Sequence, residues 1–319
     1  MLPLSIIIPV WNDPQGLQRI VRQAVELQIA REIIICDDAS DSDHSPDALG
    51  ITGSSTTSLH YIRSPQQLGA GAMRNIGIGA ATQRFVLFAD SDDMLKPDIK
   101  TILQQLEGKH FDFCIFRHHD SRIIGREGTF DTEEKLWAAA NATPDVRRLN
   151  ARESAELAKL SAYPWNKVYR KHFLTSMNIR CTEIPVHNDI ELHWTSFIAA
   201  DTILCSSMMG AVHYVAEDGS RLTNRKGAER LQLFDALEAT MERLRNTPES
   251  TVYIEPFLGF CYKLAGWAWN NIDPEYHSRL HRLTKKFFME NFSERQLVLT
   301  AYRNPDLVGR INKIISGGV

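Results

Sequence analysis

The sequence predicts an α/β fold in which a mostly parallel sheet is flanked by helices, with a helical extension at the C-terminus. Over about the first 116 residues, short apolar runs rich in β-branched residues alternate with segments whose apolar residues recur at helical spacing. Strands buried on both faces have continuous apolar runs, and helices between such strands imply parallel order. After about residue 227 only the helical spacing persists, which predicts the extension.

The elements of the first part follow one another in a regular order. Polar loops separate them, and the longest is a stretch rich in Asp, Ser, Thr and Gly at 40–58. Pro97 predicts the start of a helix, because the first helical residue does not need the N–H that proline lacks. The predicted strands are 5–10, 32–36, 59–63, 84–89 and 111–116, and the predicted helices are 17–27, 70–81 and the segment from Pro97.

The rest of the chain is less regular. Its predicted elements are helices at 136–142, 151–160 and 188–200, an extended segment at 183–186, and strands at 202–205 and 211–215. Further helices are predicted near 231–241, 252–270, 274–291 and 293–301. We therefore expect two regions, residues 1–220 with the sheet and residues 221–319 with helices alone.

Charge is unevenly distributed along the chain. The 319 residues carry a net charge of −3, which excludes binding to nucleic acid through bulk positive charge. Residues 1–220 hold 21 Lys and Arg against 28 Asp and Glu, a net −7, while residues 221–319 hold 15 against 11, a net +4. The basic tail predicts either a solvated helix face or contact with an anionic membrane surface, through Arg279, Arg282, Lys285 and Lys286.

Several features indicate the cellular compartment. The five cysteines are widely spaced and include no CxxC pair, so they indicate neither a disulfide framework nor a zinc site and suit a reducing cytosol. The apolar start MLPLSIIIPVW lacks a basic region and a cleavage site, so we expect a core strand there rather than a signal peptide. No apolar run approaches the roughly 20 residues that span a bilayer. We expect a cytoplasmic protein, with peripheral contact at the inner face of the plasma membrane as a further expectation.

Acidic side chains follow two of the predicted strands. Asp37 and Asp38 come after the second, and Asp90, Asp92 and Asp93 come after the fourth. Ligands of open parallel sheets bind where the strands end. Three carboxylates in four residues repel one another, and Mg²⁺ or Mn²⁺ relieves this by taking oxygen ligands. The alternatives are a solvated acidic turn for the cluster and an ordinary turn or cap for the first pair.

Three common sequence signatures are missing. There is no GxxxxGK[ST] loop and no GxGxxG opening a first helix, which disfavours a P-loop NTPase and a dinucleotide-binding dehydrogenase. There is also no GxSxG elbow, so no nucleophilic serine is indicated.

Four ordered segments carry a resemblance to a known family. They are PVWN (9–12), ICDDASDSD (35–43), LGAGAMRNIGIG (68–79) and FADSDDMLKP (88–97). Their order and spacing resemble inverting glycosyltransferases of family 2, whose GT-A fold has a Rossmann-like sheet. The resemblance is strong over residues 4–98 and returns in PWNKVYRKHF and HNDIELHW. It implies a catalytic domain that binds a nucleotide sugar in residues 1–220, and acceptor docking, oligomerisation or membrane-surface contact for residues 221–319.

The resemblance also implies a donor pocket. Asp38, or alternatively Asp37, would accept a hydrogen bond from the base of a UDP-like donor, with Arg74 close to that base. Asp92 would bind Mn²⁺ or Mg²⁺ at the diphosphate, together with His213. A structural role is the alternative for His213, since it is a lone histidine in an apolar strand. The implied donor-binding residues are Pro9, Val10, Trp11, Asn12, Asp38, Arg74, Asp90 and Ser91, with Asp90 on the ribose.

An inverting transfer needs a base opposite the leaving group. The resemblance implies that Asp189 is this base, although Asn188 stands where the family has Glu, and it leaves Glu191 and His187 as outside candidates. The alternative for Asp189 is a first-turn carboxylate favoured by the helix dipole. The implied acceptor or sugar pocket is Trp165, Lys167, Asn188 and Glu191, with a core position as the alternative for Trp165, and Arg221 and Thr223 would close over the donor.

The predicted function is therefore a metal-dependent inverting glycosyltransferase that moves a sugar from a nucleotide-diphosphate donor, preferably a UDP-sugar, to a hydroxyl of a surface polysaccharide or lipid-linked glycan. The predicted partners are this donor and this acceptor, with no nucleic acid and with a homo-oligomer as a further expectation. One alternative is a sugar-phosphate nucleotidyltransferase, but PVWNDPQG lacks the Gly-rich basic loop of that class. The other is a catalytically idle nucleotide-sugar or glycan-binding module, which the intact DSDD and Asp189 disfavour.

Overall fold

A mixed sheet runs through the computed structural model, which describes residues 2–215 and 225–317. The strands of the described residues are β1 Leu4–Val10, β2 Glu32–Asp37, β3 Ser58–Arg63, β4 Phe85–Phe88, β5 Met94–Leu95, β6 Phe113–Asp120, β7 Arg147–Arg148, β8 Lys167–Arg170 and β9 Ile203–His213. They pair in the order β3-β2-β1-β4-β8-β6-β9-β5, and β7 pairs with β9. Pairing is parallel within β3-β2-β1-β4 and between β6 and β9, and antiparallel elsewhere. The predicted α/β fold with a mostly parallel sheet is thereby confirmed.

Helices cover both faces of the sheet. They are α1 Pro14–Leu27, α2 Ala70–Ala80, α3 Asp98–Leu106, α4 Asp131–Ala139, α5 Ala151–Leu157, α6 Lys171–Ser176, α7 Ile190–Ala199, α8 Leu233–Arg245, α9 Ile254–Asn271, α10 His277–Asn291, α11 Glu294–Arg303 and α12 Pro305–Ser316. One face packs on α1 and α3 through residues such as Ile20 and Ile102. The other packs on α2 and α7 through residues such as Met73 and Phe197. The result is three layers, helix on sheet on helix.

Two segments predicted as extended, 202–215 and 183–186, differ from the sequence prediction. The strands predicted at 202–205 and 211–215 form one continuous strand, β9, although Ser206 and Ser207 interrupt its apolar pattern. Gly210 permits this, because a Cβ there would lie 2.7 Å from the ring of Phe116 on the neighbouring strand. The segment predicted as extended at 183–186 is a loop that leads into α7.

An antiparallel strand, β8, was not predicted. It has only four residues and lies between β4 and β6, so its sequence KVYR offers too few positions for a period to emerge. β8 brings Lys167 into the middle of the sheet, where its side chain is fully buried.

The C-terminal helices share one apolar core with the sheet. The indole of Trp194 in α7 lies 4.9 Å from the ring of Phe257 and 5.2 Å from that of Phe260, both in α9. The same core continues to Leu280 and Phe287 in α10 and reaches Phe88 in β4. No helix within residues 2–215 and 225–317 is long and apolar enough to cross a membrane.

Candidate active site

The site lies where three parallel strands end. The register pairs Val10 at the end of β1 with Asp37 at the end of β2, and Ile7 of β1 with Phe88 of β4. Since neighbouring strands stop at the same edge, the segments that follow them meet there. This brings together the loops that begin at Trp11, Asp38 and Ala89, which were predicted to hold the donor pocket.

Asn12 ties the first loop to the second. Its backbone N–H donates to Ser40 Oγ at 2.9 Å, and its side-chain oxygen accepts from the N–H of Asp41 at 2.8 Å. Trp11 is 44% exposed at this edge, while Pro9 and Val10 are buried within β1. Of the PVWN segment, therefore, Trp11 and Asn12 present their side chains at the surface.

Asp38 is a buried carboxylate that binds the backbone of the segment before α2. Its two oxygens accept from the N–H groups of Leu68 and Gly69, at 2.6 and 2.9 Å. Gly69 is the residue that precedes the first helical residue of α2, so Asp38 holds the segment that leads into this helix. Asp37 is engaged elsewhere, because it accepts from the N–H of Ser40 at 2.8 Å and from the hydroxyl of Tyr61 at 2.5 Å.

Arg74 joins two distant parts of the site. From the buried face of α2 it donates to Asp90 Oδ1 at 2.7 Å and to Asn188 Oδ1 at 2.8 Å. Burial by itself would lower the pKa of Arg74, but the charge and hydrogen bond of Asp90, together with Cys181 and Asp189, raise it, so its positive charge is secure. A buried arginine needs such partners, because a lone charge in the interior is strongly unfavourable. The loop after β4 and the loop before α7 are thus linked through one side chain.

Three carboxylates after β4 form a compact acidic cluster. Single oxygens of Asp90, Asp92 and Asp93 all lie within 4.8 Å of one another. An all-oxygen donor set of this kind suits Mg²⁺ or Mn²⁺. Asp93 is the buried member, and desolvation raises its pKa.

His213 contacts this cluster through Asp93. Its Nδ1 lies 3.0 Å from Asp93 Oδ1, and the same oxygen accepts from the N–H of Tyr214 at 2.9 Å. The ring packs on Tyr163 with centroids 4.8 Å apart, and Tyr163 in turn stacks on Trp165 at 4.7 Å. Trp165 is buried, which agrees with the core position given as its alternative. Tyr163 carried no sequence signal that marked it.

Ser91 is oriented towards α1. Its hydroxyl donates to Asp13 Oδ2 at 2.7 Å, and its carbonyl accepts from Arg19 at 3.0 Å. Asp13 also accepts from the N–H of Gly16 and caps α1. An Asp before a Pro at a helix start is a recognisable capping signal, but nothing local indicates that Asp13 would also hold Ser91.

Asp189 precedes α7, and its side chain makes no capping bond with the helix. Burial raises its pKa to about 6, while Arg74 opposes the shift. Lys167 is fully buried and donates to the Tyr163 carbonyl at 2.5 Å and to Asn166 Oδ1 at 2.7 Å. Burial lowers the pKa of Lys167 to about 7, and the charge of Asp189 opposes this shift. The two groups therefore influence each other's ionisation.

The outside candidates for the base make contacts of their own. Glu191 accepts from Thr182 Oγ1 at 2.6 Å and lies 3.8 Å from Arg180. Desolvation lowers the pKa of His187 to about 4, so its imidazole is neutral at neutral pH. Desolvation raises the pKa of Glu191. The pKa of Asp189, about 6, lies nearer to neutral pH than that of His187, which favours Asp189 over His187 as a proton acceptor. The predicted positions Arg221 and Thr223 lie outside the described residues.

A separate cavity of about 1160 Å³ opens near the start of β6. Its lining includes the ion pairs Arg147–Glu153 and Arg170–Asp112, so its charges are largely compensated. None of the acidic cluster lines it.

Sequence comparisons identify related proteins. The sequence model of glycosyl transferase family 2 matches residues 5–154. The Bacillus subtilis protein EpsH, which carries a glycosyltransferase name, is 28% identical over 189 residues, 59% of this chain and 52% of EpsH. Glycosyltransferase GlyG of Streptococcus pneumoniae is 26% identical over 119 residues, 37% of this chain and 39% of GlyG. The chain thus spans about half or less of these two relatives.

Solved structures share the fold. A structure of S. aureus TarS 1–349 in complex with UDP-GlcNAc superposes with a TM-score of 0.74 at 15% identity, covering 99% of this chain and 91% of that one. The mannosyltransferase PcManGT of Pyrobaculum calidifontis, in complex with GDP-Man and Mn²⁺, superposes with a TM-score of 0.53 at 12% identity, covering 99% and 85%. At these identities the likeness concerns the fold, and it extends through the C-terminal helices.

Proposed function

Because this chain belongs to glycosyl transferase family 2 through residues 5–154, we propose that it is a metal-dependent inverting enzyme of surface-glycan synthesis. It takes a sugar from a nucleotide-diphosphate donor, preferably a UDP-sugar, and transfers it to a hydroxyl of a polysaccharide or lipid-linked glycan. A UDP-GlcNAc complex of TarS supports the choice of donor. A 29% match over 96 residues to the Rhizobium meliloti succinoglycan biosynthesis protein ExoO supports a polysaccharide product.

The link that Arg74 makes between Asp90 and Asn188 carries this proposal. It holds the acidic cluster, which suits a diphosphate with its cation, close to the loop that carries Asp189. An inverting enzyme needs this arrangement, with a base on the side of the sugar opposite the leaving group.

We assign the donor to the edge formed by Trp11, Asn12 and Asp90. Asp38 retains unused lone pairs beyond its two amide bonds and can accept from the nucleotide base. Asp90 accepts from the ribose hydroxyls. Asp92 would hold Mn²⁺ or Mg²⁺ with its neighbours in the cluster. When bound, the cation would neutralise charge on the diphosphate leaving group.

Asp189 acts as the general base in the proposed mechanism. Its carboxylate removes the proton of the acceptor hydroxyl while that oxygen forms a bond to the anomeric carbon. The bond from this carbon to the diphosphate breaks, and the diphosphate leaves with the electron pair. One displacement inverts the anomeric centre without a covalent enzyme intermediate. Lys167, buried nearby, contributes positive charge that favours ionised Asp189.

We also propose a cytoplasmic location. All five cysteines lie in the described part of the chain and are free, buried thiols, which suits a reducing compartment. Peripheral contact with the membrane and a homo-oligomer stay predictions.

UDP binding tests the metal assignment. We expect UDP to raise the melting temperature of the protein more with Mn²⁺ present than without it, since a ligand that binds only the folded state stabilises it. Asp92→Asn should remove this Mn²⁺-dependent part of the shift. The matched control is Asp306→Asn, an exposed aspartate in α12. An unchanged Mn²⁺ response in Asp92→Asn would rule out Asp92 as a ligand, and binding of donors without hydrolysis or transfer would favour the idle module.

A further inference from the structure

Trp267 of α9 lies beside the loop that carries Asp189. Its indole is 40% exposed, and the centroid of the ring is 5.2 Å from that of His187. His187 precedes Asp189 by two residues, and two residues of extended chain span at most about 7 Å. An exposed tryptophan of the C-terminal helices therefore contacts the loop that carries the residue proposed as the base.

The indole is held in place from beneath. The guanidinium carbon of Arg230 lies 4.4 Å from the centre of the ring, and Arg230 is only 1% exposed. Since the arginine is buried, the ring face that it covers is turned into the protein, and the exposed area belongs to the rest of the indole. A cation over an indole face attracts it, more strongly where water is excluded. The ring is thus fixed in position before any ligand arrives.

A fixed and partly exposed indole is well suited to bind a sugar. Pyranose rings have faces of C–H groups, and the negative face of an aromatic ring attracts such positively polarised hydrogens. A tryptophan side chain also loses little conformational entropy on binding, since it has only two rotatable bonds. The other tryptophans near the site are unsuited to the acceptor, because Trp165 is buried and Trp11 lies at the donor edge.

We propose that Trp267 is a stacking platform for a pyranose ring of the acceptor. The inference rests on the proposed function, because it takes Asp189 as the base. It assigns the acceptor to the class of glycans in which a sugar unit adjoins the attacking hydroxyl. One face of that unit packs on the indole, and its hydroxyl, or that of the next unit, reaches Asp189.

Glycan binding by variants of the full chain tests the platform. The probe is an array of bacterial surface oligosaccharides, read with UDP and Mn²⁺ present. Trp267→Ala should lose at least about tenfold in affinity, which corresponds to about 1.4 kcal/mol. Trp267→Tyr should retain most of the binding, because it keeps an aromatic face. The matched control is Tyr302→Ala, which removes an aromatic of α11 that is 85% exposed.

UDP affinity of each variant shows that it is folded and separates the two proposals. The platform is wrong, and the proposed function stands, if UDP affinity is unchanged but Trp267→Ala binds glycans as well as the wild type does. The same conclusion follows if the wild type binds UDP but none of the oligosaccharides on the array. If the wild type neither binds UDP nor hydrolyses UDP-sugars, the proposed function fails. Tryptophan fluorescence provides a second measurement, which compares the wild type with Trp267→Tyr and does not use the alanine variant. A bound glycan should shift the tryptophan emission of the wild type but not that of Trp267→Tyr, and an equal shift in both would contradict the platform.

Discussion

Asp189 carries its charge in surroundings that stabilise it less well than water does. Burial raises the pKa of this carboxyl to about 6, and Arg74 offsets only part of the effect. A base of this kind is ionised at neutral pH yet more basic than an exposed aspartate, which suits proton removal. The proposed role therefore costs stability, a trade often found at active sites.

The pH dependence of transfer follows from this pKa. We expect kcat/KM to fall about tenfold per pH unit once the pH is below the pKa of the base, here about 6. In Asp189→Asn, transfer should fall by about 10²–10⁴-fold while UDP affinity is kept. Steady-state kinetics between pH 5 and about 8 would measure both effects. Full activity in Asp189→Asn would exclude this residue as the base.

The stability of the same variant supplies a control. The folded pKa of Asp189 lies above its unfolded value, so the ionised carboxylate destabilises the native state at pH values above about 6. Asp189→Asn should therefore raise the free energy of unfolding at pH 7.5 by about 1–3 kcal/mol. This gain should shrink as the pH falls and vanish near pH 4, about the pKa of an unfolded aspartate. Urea unfolding at several pH values would show it, and a gain independent of pH would contradict this explanation.

Local spacing predicted some of these residues and not their partners. Asp90, Asp92 and Asp93 lie within four residues, so their proximity follows from the sequence itself. The bond from Arg74 to Asn188 spans 114 positions and depends on how α2 and α7 pack. The burial that shifts the pKa of Asp189 and Lys167 also arises only from tertiary structure.

Helix α2 is the element that sets the geometry of the site. Asp38 holds the segment that leads into this helix, and the buried face of the helix carries Arg74. The helix lies close to the sheet, because a Cβ built on Gly77 would be 2.3 Å from Ile7 Cγ2 and 3.1 Å from Cys36 Sγ. A glycine there lets α2 approach β1 and β2 more closely than an alanine would.

Two glycines of α2 give a matched pair of variants. Gly77→Ala should lower the free energy of unfolding by about 1–3 kcal/mol, the usual cost of inserting a methyl group into a packed core. Gly79→Ala should leave stability unchanged or raise it by up to about 1 kcal/mol, because alanine favours helix. Beyond its chain neighbours and the backbone of α2 itself, no atom of the described residues lies within 4 Å of the Cβ position of Gly79. Equal effects in chemical denaturation would show that α2 does not pack as described.

The sheet contains strands that the periodicity of apolar residues in the sequence does not predict well. Strands β1, β2 and β4 were predicted well because each is a continuous apolar run buried on both faces. Strand β8 is short and β9 contains a polar interruption, so neither shows a period of its own. Both are strands because neighbouring strands provide partners for their backbone groups.

At the scale of the whole chain, the division into residues 1–220 and 221–319 stays a prediction about domains. The apolar core crosses this division, with Trp194 and Phe197 on one side and Tyr253, Phe257 and Phe260 on the other. Both regions therefore depend on each other for burial of large aromatic side chains, each of which contributes substantially to stability.

Truncation measures this dependence. A chain ending at residue 215 should lose cooperative unfolding and bind the dye ANS, because it exposes the apolar surface around Trp194. Calorimetry and dye fluorescence, with the full chain as reference, would detect the change. A sharp melting transition without dye binding would show that the sheet region folds alone.

Arg74 also constrains how this protein can evolve. A change of residue 74, or of the shape of α2, has to suit Asp90 and Asn188 together, since one guanidinium binds both. Substitutions near Arg74 that adapt the enzyme to a new donor therefore also change the position of Asn188, which precedes the proposed base. Among the described contacts, exposed α11 side chains such as Leu299 and Tyr302 do not connect two parts of the site in this way. We therefore expect new specificities to arise more readily through substitutions of exposed residues than through substitution of Arg74.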